Sequence, residues 1–287
     1  GGGSITVDEI PIEIDMADSV STDSIFSVYV SISGVTDFDA GQFDISFDTA
    51  VLQLDSITTG LIGTTQIPVS ATNEISPGTY RIVINVPGFP GVSGSGYLAE
   101  IRFHVIGSSG QNSNIYLANG FINDNEANEI EGVTWTGGLV TVYEQLVIVT
   151  NSLPDGKMGI TYSAVVAAQG GTGNYTWSAP LGSLPNGLIL NSNTGEISGV
   201  PTTIGDISFT IEATDGLFFT SKIISIHVAS RPGDANGDSE LNTADITTIE
   251  LIIIGLLNTS EGADANLDSL INTADITKTE RLIVGLD

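Results

Sequence analysis

The sequence predicts a mainly β chain that ends in a small α-helical module, and three observations carry this. Up to about Ser230, apolar and polar residues alternate with period two in short runs separated by Gly, Asn, Asp, Ser and Pro, the pattern of antiparallel sandwiches. No amphipathic helix separates those runs, as a parallel sheet would require. Beyond residue 232 the apolar spacing changes to three or four residues, and the segment is internally duplicated.

The strand runs are Phe26–Ile32, Gln42–Phe47, Arg81–Val86, Leu98–Val105, Ser208–Ala213 and Lys222–Val228. In the second of these, alternation points Phe43, Ile45 and Phe47 to one side and Gln42, Asp44 and Ser46 to the other. Charge divides the chain further. Residues 1–143 carry 17 acids and 2 bases, residues 144–231 carry 6 and 3, and residues 232–287 carry 11 and 2. With the Arg231-Pro232-Gly233 punctuation, three modules are expected: 1–143 and 144–231 as β-sandwiches and 232–287 as the helical end.

The 287 residues hold 34 Asp and Glu against 7 Lys and Arg, a formal net charge of -27. So few cations argue against binding nucleic acid or an anionic membrane surface. The absence of cysteine removes disulfides, thiolate metal sites and cysteine nucleophiles. At 41% apolar and 14% charged residues the chain can build packed cores rather than remain disordered. The longest apolar stretch, Leu251 to Leu257, is too short to span a membrane. The opening Gly1-Gly2-Gly3-Ser4 has neither a basic nor an apolar region, so a signal peptide is expected to be absent or already removed.

The duplication aligns DANGDSELNTADITTIELIIIG from Asp234 with DANLDSLINTADITKTERLIVG from Asp264, an offset of 30 residues with 14 of 22 positions identical. Oxygen-bearing side chains recur at loop positions 1, 3, 5, 9 and 12: Asp234, Asn236, Asp238, Asn242 and Asp245, then Asp264, Asn266, Asp268, Asn272 and Asp275. This is the spacing of an EF-hand-type loop, which wraps alternate side chains and the position-7 carbonyl around one hard cation. Position 7 is Glu240 or Leu270, and the apolar Leu270 suits a backbone role. Two features depart from the EF-hand pattern: position 12 is Asp rather than Glu, and position 6 is Ser239 or Ser269 rather than glycine. A bland reading, acidic turns that cap helices, weakens once the same five oxygens occur twice. Two Ca²⁺ ions are therefore expected, and their chelation should unfold the segment. After each loop a helix is predicted, with apolar stripes of Ile246, Ile249, Ile252, Ile253 and Leu256, and of Ile276, Leu282, Ile283 and Leu286, packed on one another.

A segment of this kind, residues 232–287, resembles the type I dockerin module. The resemblance implies calcium-dependent docking onto a cohesin module of the same or another protein through Thr243, Ala244, Glu250 and Leu251 and through Thr273, Ala274, Glu280 and Arg281. The repeated Thr-Ala pair suggests docking in two orientations, which Leu251 against Arg281 makes unequal.

Residues 5–143 resemble a cohesin, on the stretches FSVYVSISGV from Phe26, GQFDISFDTAVLQL from Gly41, GYLAEIRFHVI from Gly96 and FINDNEANEI from Phe121, with a last strand near Gly138–Val142. This implies a nine-stranded jelly-roll sandwich whose flat face receives a dockerin. Arg81 and Arg102, its two basic residues, are expected outward on neighbouring strands as a cationic part of that face. The loop Asn123–Glu129 is acidic but fits no fixed ligand spacing, so a solvated turn is preferred to a further calcium site. Residues 146–229 resemble the immunoglobulin-like repeat common in bacterial surface proteins, through stretches from Ser152 and Leu184, and read as a spacer with Trp177 in its core.

No catalytic site is expected. His104 and His227 sit at outward strand positions, outside any nucleophile or metal-protease motif. These expectations converge on a non-catalytic scaffold or adaptor, extracellular or at the cell surface. Its sharper version is head-to-tail self-assembly into a homopolymeric filament. The alternative is a carbohydrate-binding or adhesion protein attached to a cellulosome-like complex of different partners.

Overall fold

The computed structural model describes residues 9–88, 90–180 and 184–286, so the glycine-rich opening lies outside the described residues. The chain divides into two compact units, residues 1–145 and 146–287.

The first unit is built from β1 (Ile10–Asp15), β2 (Ser19–Ser21), β3 (Ile25–Ser46), β4 (Leu52–Ile62), β5 (Thr65–Ile67), β6 (Val69–Ser76), β7 (Thr79–Asn85), β8 (Val92–Val105), β9 (Asn112–Asp124), β10 (Val133–Thr136) and β11 (Gly138–Tyr143). There are more strands than the nine expected, because short pieces join the sheet edges. On the other hand, two expected runs fuse into β3, which continues for 22 residues. Its register slips between Tyr29 and Ser31, Ile32 and Val35, and Val35 and Phe38, and such slips bend a strand. The two halves of β3 therefore serve different layers. Ile25–Phe38 pairs with β8, which pairs in turn with β4. Ala40–Ser46 lies between β7 and β9, and β7 pairs with β6. One core fills the space between the layers. Val28, Val30, Ile32, Phe43 and Ile45 enter it from β3, and Ile82, Ile84, Ile101, Phe103, Ile115 and Ile122 from the partner strands.

The second unit opens with β12 (Val147–Ile148), β13 (Gly156–Lys157), β14 (Tyr162–Val165), β15 (Ala168–Gln169), β16 (Thr176–Ser178), β17 (Leu188–Leu190), β18 (Glu196–Gly199), β19 (Gly205–Thr214) and β20 (Phe219–Ala229). A sheet in the order β13-β20-β19-β16 faces a smaller one, β14-β18-β17, over a core of Ile197, Phe209, Ile211, Ile224, Ile226 and Trp177. Trp177 is buried in the core, as expected, and meets Tyr175 edge to face.

Two helices follow, α1 (Thr243–Ile253) and α2 (Thr273–Ile283), around a separate small cluster of Ala235, Ile249, Ile252 and Ala263, with Ile271 and Ile276 partly buried beside it. The expected apolar stripes are only partly realised. Ile253 and Leu256 are exposed, as is Leu286 in the second copy. For Leu256 the physical reason is helix length: α1 stops at Ile253, the chain turns through Gly255 at φ 78°, and Leu256 lies beyond the helix.

Candidate calcium loops and docking faces

Each loop folds around its first carboxylate. Asp234 Oδ1 accepts from the N–H groups of Gly237 and Asp238, at 2.9 and 3.1 Å, and Oδ2 accepts from Ser239 N–H at 3.0 Å. In the second copy, Asp264 accepts from Asp268 and Ser269 N–H at 3.1 and 2.8 Å. Asp238 and Asp268 each accept the N–H two residues on, from Glu240 and Leu270. The position-12 carboxylates reach back across the loop: Asp245 accepts from Asn236 and Asn242 N–H, and Asp275 from Asn266 and Asn272 N–H.

The helices start on the same residues. Asn242 and Asn272 are N-caps whose side-chain oxygens accept from Ala244 and Ala274 N–H, and Asp245 and Asp275 close capping boxes. The helix-capping role of these residues is thus real, and it uses positions 9 and 12 of the proposed ligand set. Among the described residues, no three His, Asp or Glu side chains close on a common point in the manner of a finished metal centre.

Both loops nevertheless fit a hard cation in backbone conformation, and the first also in its gathered charge. Ser239 and Ser269 adopt φ of 73° and 72°, the left-handed turn for which the EF-hand pattern uses glycine at position 6. The serine substitutions therefore leave the turn intact. Asp234 is buried, and its carboxyl is pushed above the ordinary value, first by desolvation and then by the charges of Asp245 and Asp238, against its bonds from Ser239 and Gly237. The buried like charges of Asp234 and Asp245 are what a bound divalent cation would relieve. At position 7, the Leu270 side chain is exposed, consistent with a backbone role.

The residues implied in docking lie on the outer surfaces of the helices. Thr243, Ala244 and Glu250 are exposed and Leu251 is partly so; Thr273, Ala274, Glu280 and Arg281 are all exposed.

The expected arginine patch is corrected. β7 and β8 are not neighbours: β7 pairs with the second half of β3 and β8 with the first, so Arg81 and Arg102 lie on different layers. Nor is Arg81 an uncompensated cation. It donates through Nε and Nη2 to both oxygens of Asp44, at 2.8 and 2.9 Å. Alternation put Asp44 outward, yet it is only 3% exposed, because Arg81 and Asn119 cover it. Asn119 Nδ2 donates to Asp44 Oδ2 at 2.8 Å. Sequence reasoning missed Asn119, which is set by a left-handed φ of 51° where the β3–β9 register slips. An asparagine inside a strand run was its only signal. Arg81 in turn holds the Asp44 carboxyl below the usual range, against the opposing effect of burial.

In the 123–129 loop, Asp124 accepts from the N–H groups of Glu126 and Asn128 and from the Asn128 side chain. These bonds close the loop on itself as a turn.

Residues 10–142 match the family model of the cohesin domain, and residues 144–229 match that described as Putative Ig domain. No dockerin model matches the C-terminal segment, and no curated protein matches the chain. Similar solved structures include a non-cellulosomal cohesin from the hyperthermophilic archaeon Archaeoglobus fulgidus, at 18% identity over 47% of this chain and 91% of that one, TM-score 0.38. Another is the cohesin module of a Clostridium perfringens family 33 glycoside hydrolase, at 17% identity over 48% and 98%, TM-score 0.42. A third is the sixth cohesin of Acetivibrio cellulolyticus scaffoldin B in complex with a Cel5 dockerin, at 17% identity over 47% and 99%, TM-score 0.39. By the two family models, residues 10–142 are similar to the cohesin domain and residues 144–229 to an immunoglobulin-like domain.

Proposed function

We propose that this chain is a non-catalytic extracellular adaptor whose cohesin domain receives a dockerin and whose residues 232–287 form a calcium-dependent dockerin-type plug. The observation that carries the plug is the matched pair of loops, with the same donors at five positions and the same left-handed residue at position 6. In each loop the ion would be held by positions 1, 3, 5, 9 and 12 and the position-7 carbonyl: Asp234, Asn236, Asp238, Glu240, Asn242 and Asp245, and their counterparts from Asp264 to Asp275. Calcium supplies charge neutralisation there, and the chain's own residues do the rest. The capped helices present Thr243, Ala244, Glu250 and Leu251, or Thr273, Ala274, Glu280 and Arg281, to a cohesin. On the cohesin domain, the outer face of β9, β3 and β7 offers exposed Tyr116 and Phe121 beside the Asp44–Arg81 pair, a mixed aromatic and polar surface of the kind that partners use.

The sharper form is head-to-tail assembly, in which the cohesin domain of one copy takes the plug of the next. Calorimetry of residues 1–230 mixed with residues 232–287 tests it. Calcium-dependent binding that EGTA abolishes is the expected outcome. Heat absent with calcium present discards self-assembly and leaves an adaptor for other partners.

A further inference from the structure

Both ring nitrogens of His227 face a carboxylate oxygen. Nδ1 lies 2.7 Å from Asp206 Oδ1, and Nε2 lies 3.2 Å from Glu261 Oε1. A neutral imidazole carries one N–H and one lone pair, so it can donate to only one of these partners and must turn its lone pair on the other. Imidazolium donates to both.

The two carboxylates belong to different parts of the second unit. Asp206 is the cross-strand neighbour of His227, on β19 of the immunoglobulin-like domain. Glu261 lies between the two loop–helix copies, in a segment firmly seated on the start of the first loop. Gly233 N–H donates to the Gly262 carbonyl at 2.8 Å, and Ser260 Oγ donates to the Ala235 carbonyl at 2.7 Å. A Cβ at Gly262 would overlap the Asp234 carbonyl, so the two backbones pack directly against each other there. A hold on Glu261 is therefore a hold on the helical module.

We propose that His227 is a proton-operated clasp, fixing the helical module to the immunoglobulin-like domain when it is imidazolium and releasing it to swing about Arg231 and Pro232 when it is neutral. The charged groups around it are few. Asp206 and Glu261 favour the cation. Lys157, which the β13–β20 register puts on the same face two residues along, and Arg231 beyond the end of β20 oppose it. The balance lies with the carboxylates. The bond from Asp206 pushes the imidazole above its ordinary value, with Glu261 adding to it and desolvation working against it. Both carboxylates are largely exposed, so each bond is weak singly, as suits a joint that loosens while the modules stay folded. For a group raised on folding, the hold is fully present below the free histidine value and is lost as pH rises through the raised one.

The test uses the full chain in excess calcium. With only two histidines, their ring protons can be assigned by His104→Gln and His227→Gln. The titration midpoint of His227 should lie above about 6.5 and drop in Glu261→Gln and in Asp206→Asn. Backbone relaxation should show residues 234–284 tumbling with the immunoglobulin-like domain at about pH 5.5 and faster at about pH 8.5, with His227→Gln fast at both. Unchanged far-UV circular dichroism keeps unfolding apart from release. A Glu261→Gln midpoint equal to wild type, or identical tumbling at both pH values, overturns the clasp. Neither readout needs a cohesin partner, so the result stands apart from the docking proposal.

Discussion

Thr279 occupies in α2 the place that Ile249 holds in α1, and it is fully buried with no hydrogen-bond partner for its hydroxyl among the described residues. A buried hydroxyl without a partner costs desolvation that an isosteric methyl group does not. Thr279→Val should therefore stabilise the helical module by about 1 kcal/mol, seen as a higher urea midpoint of the helical signal at saturating calcium. A lower midpoint would show that the hydroxyl is satisfied. Asp44 is the opposite case, a buried carboxylate whose bonds all go to Arg81 and Asn119. Its carboxyl is depressed in the folded state, so its contribution is present above the unfolded value of about 3.9 and disappears as pH falls through the folded one. Asp44→Asn should cost about 2 kcal/mol at neutral pH. In denaturant titrations repeated down the pH scale, the gap between wild type and variant should close on the acid side. A gap independent of pH would assign the loss to packing rather than charge.

The loops are the elements where backbone conformation outruns residue type. Ser239 and Ser269 hold a left-handed turn that costs an L-residue about 1 kcal/mol, a cost that glycine avoids in exchange for greater freedom in the unfolded chain. Ser239→Gly and Ser269→Gly should together leave the module slightly more stable, by about 0.5–1 kcal/mol, with the proposed calcium affinity unchanged in competition titration against a fluorescent chelator. A loss of affinity would mean that the serine hydroxyls contribute something glycine cannot. Much here was legible in sequence. Alternation in Phe43 and Ile45 located a strand, and the duplicated spacing located both loops and helix starts, because each depends on neighbours a few residues apart. What was not legible depends on distant pairing. The bend of β3 arises from register slips against β8, which parted Arg81 from Arg102; Asp44 is covered by Asn119 from another strand; and His227 meets Glu261 from another module. Leu256 continued a helical period in the sequence, but Gly255 turned the chain before that period reached it.

Across the whole molecule, the net charge of -27 is concentrated at its ends. Residues 1–143 sum to 2 minus 17, or -15, and residues 232–287 to 2 minus 11, or -9, which two bound calcium ions would bring to -5. With Arg81 paired to Asp44 and Arg102 on the other layer, no two-arginine patch meets the acidic plug. The proposed head-to-tail association would then bring together two surfaces of like sign, and electrostatics should slow it rather than steer it. Screening removes that penalty: the Debye length falls to about 10 Å at 0.1 M salt, which leaves the apolar and hydrogen-bonded contacts to act. Two consequences follow for sedimentation velocity of the full chain. In calcium, the weight-average sedimentation coefficient should rise as sodium chloride is raised from about 0.02 to about 0.2 M, and in EGTA it should stay at the single-chain value throughout. Assembly that instead weakens with salt would mean that complementary charges draw the ends together, and Arg102→Glu would then be the variant to locate them.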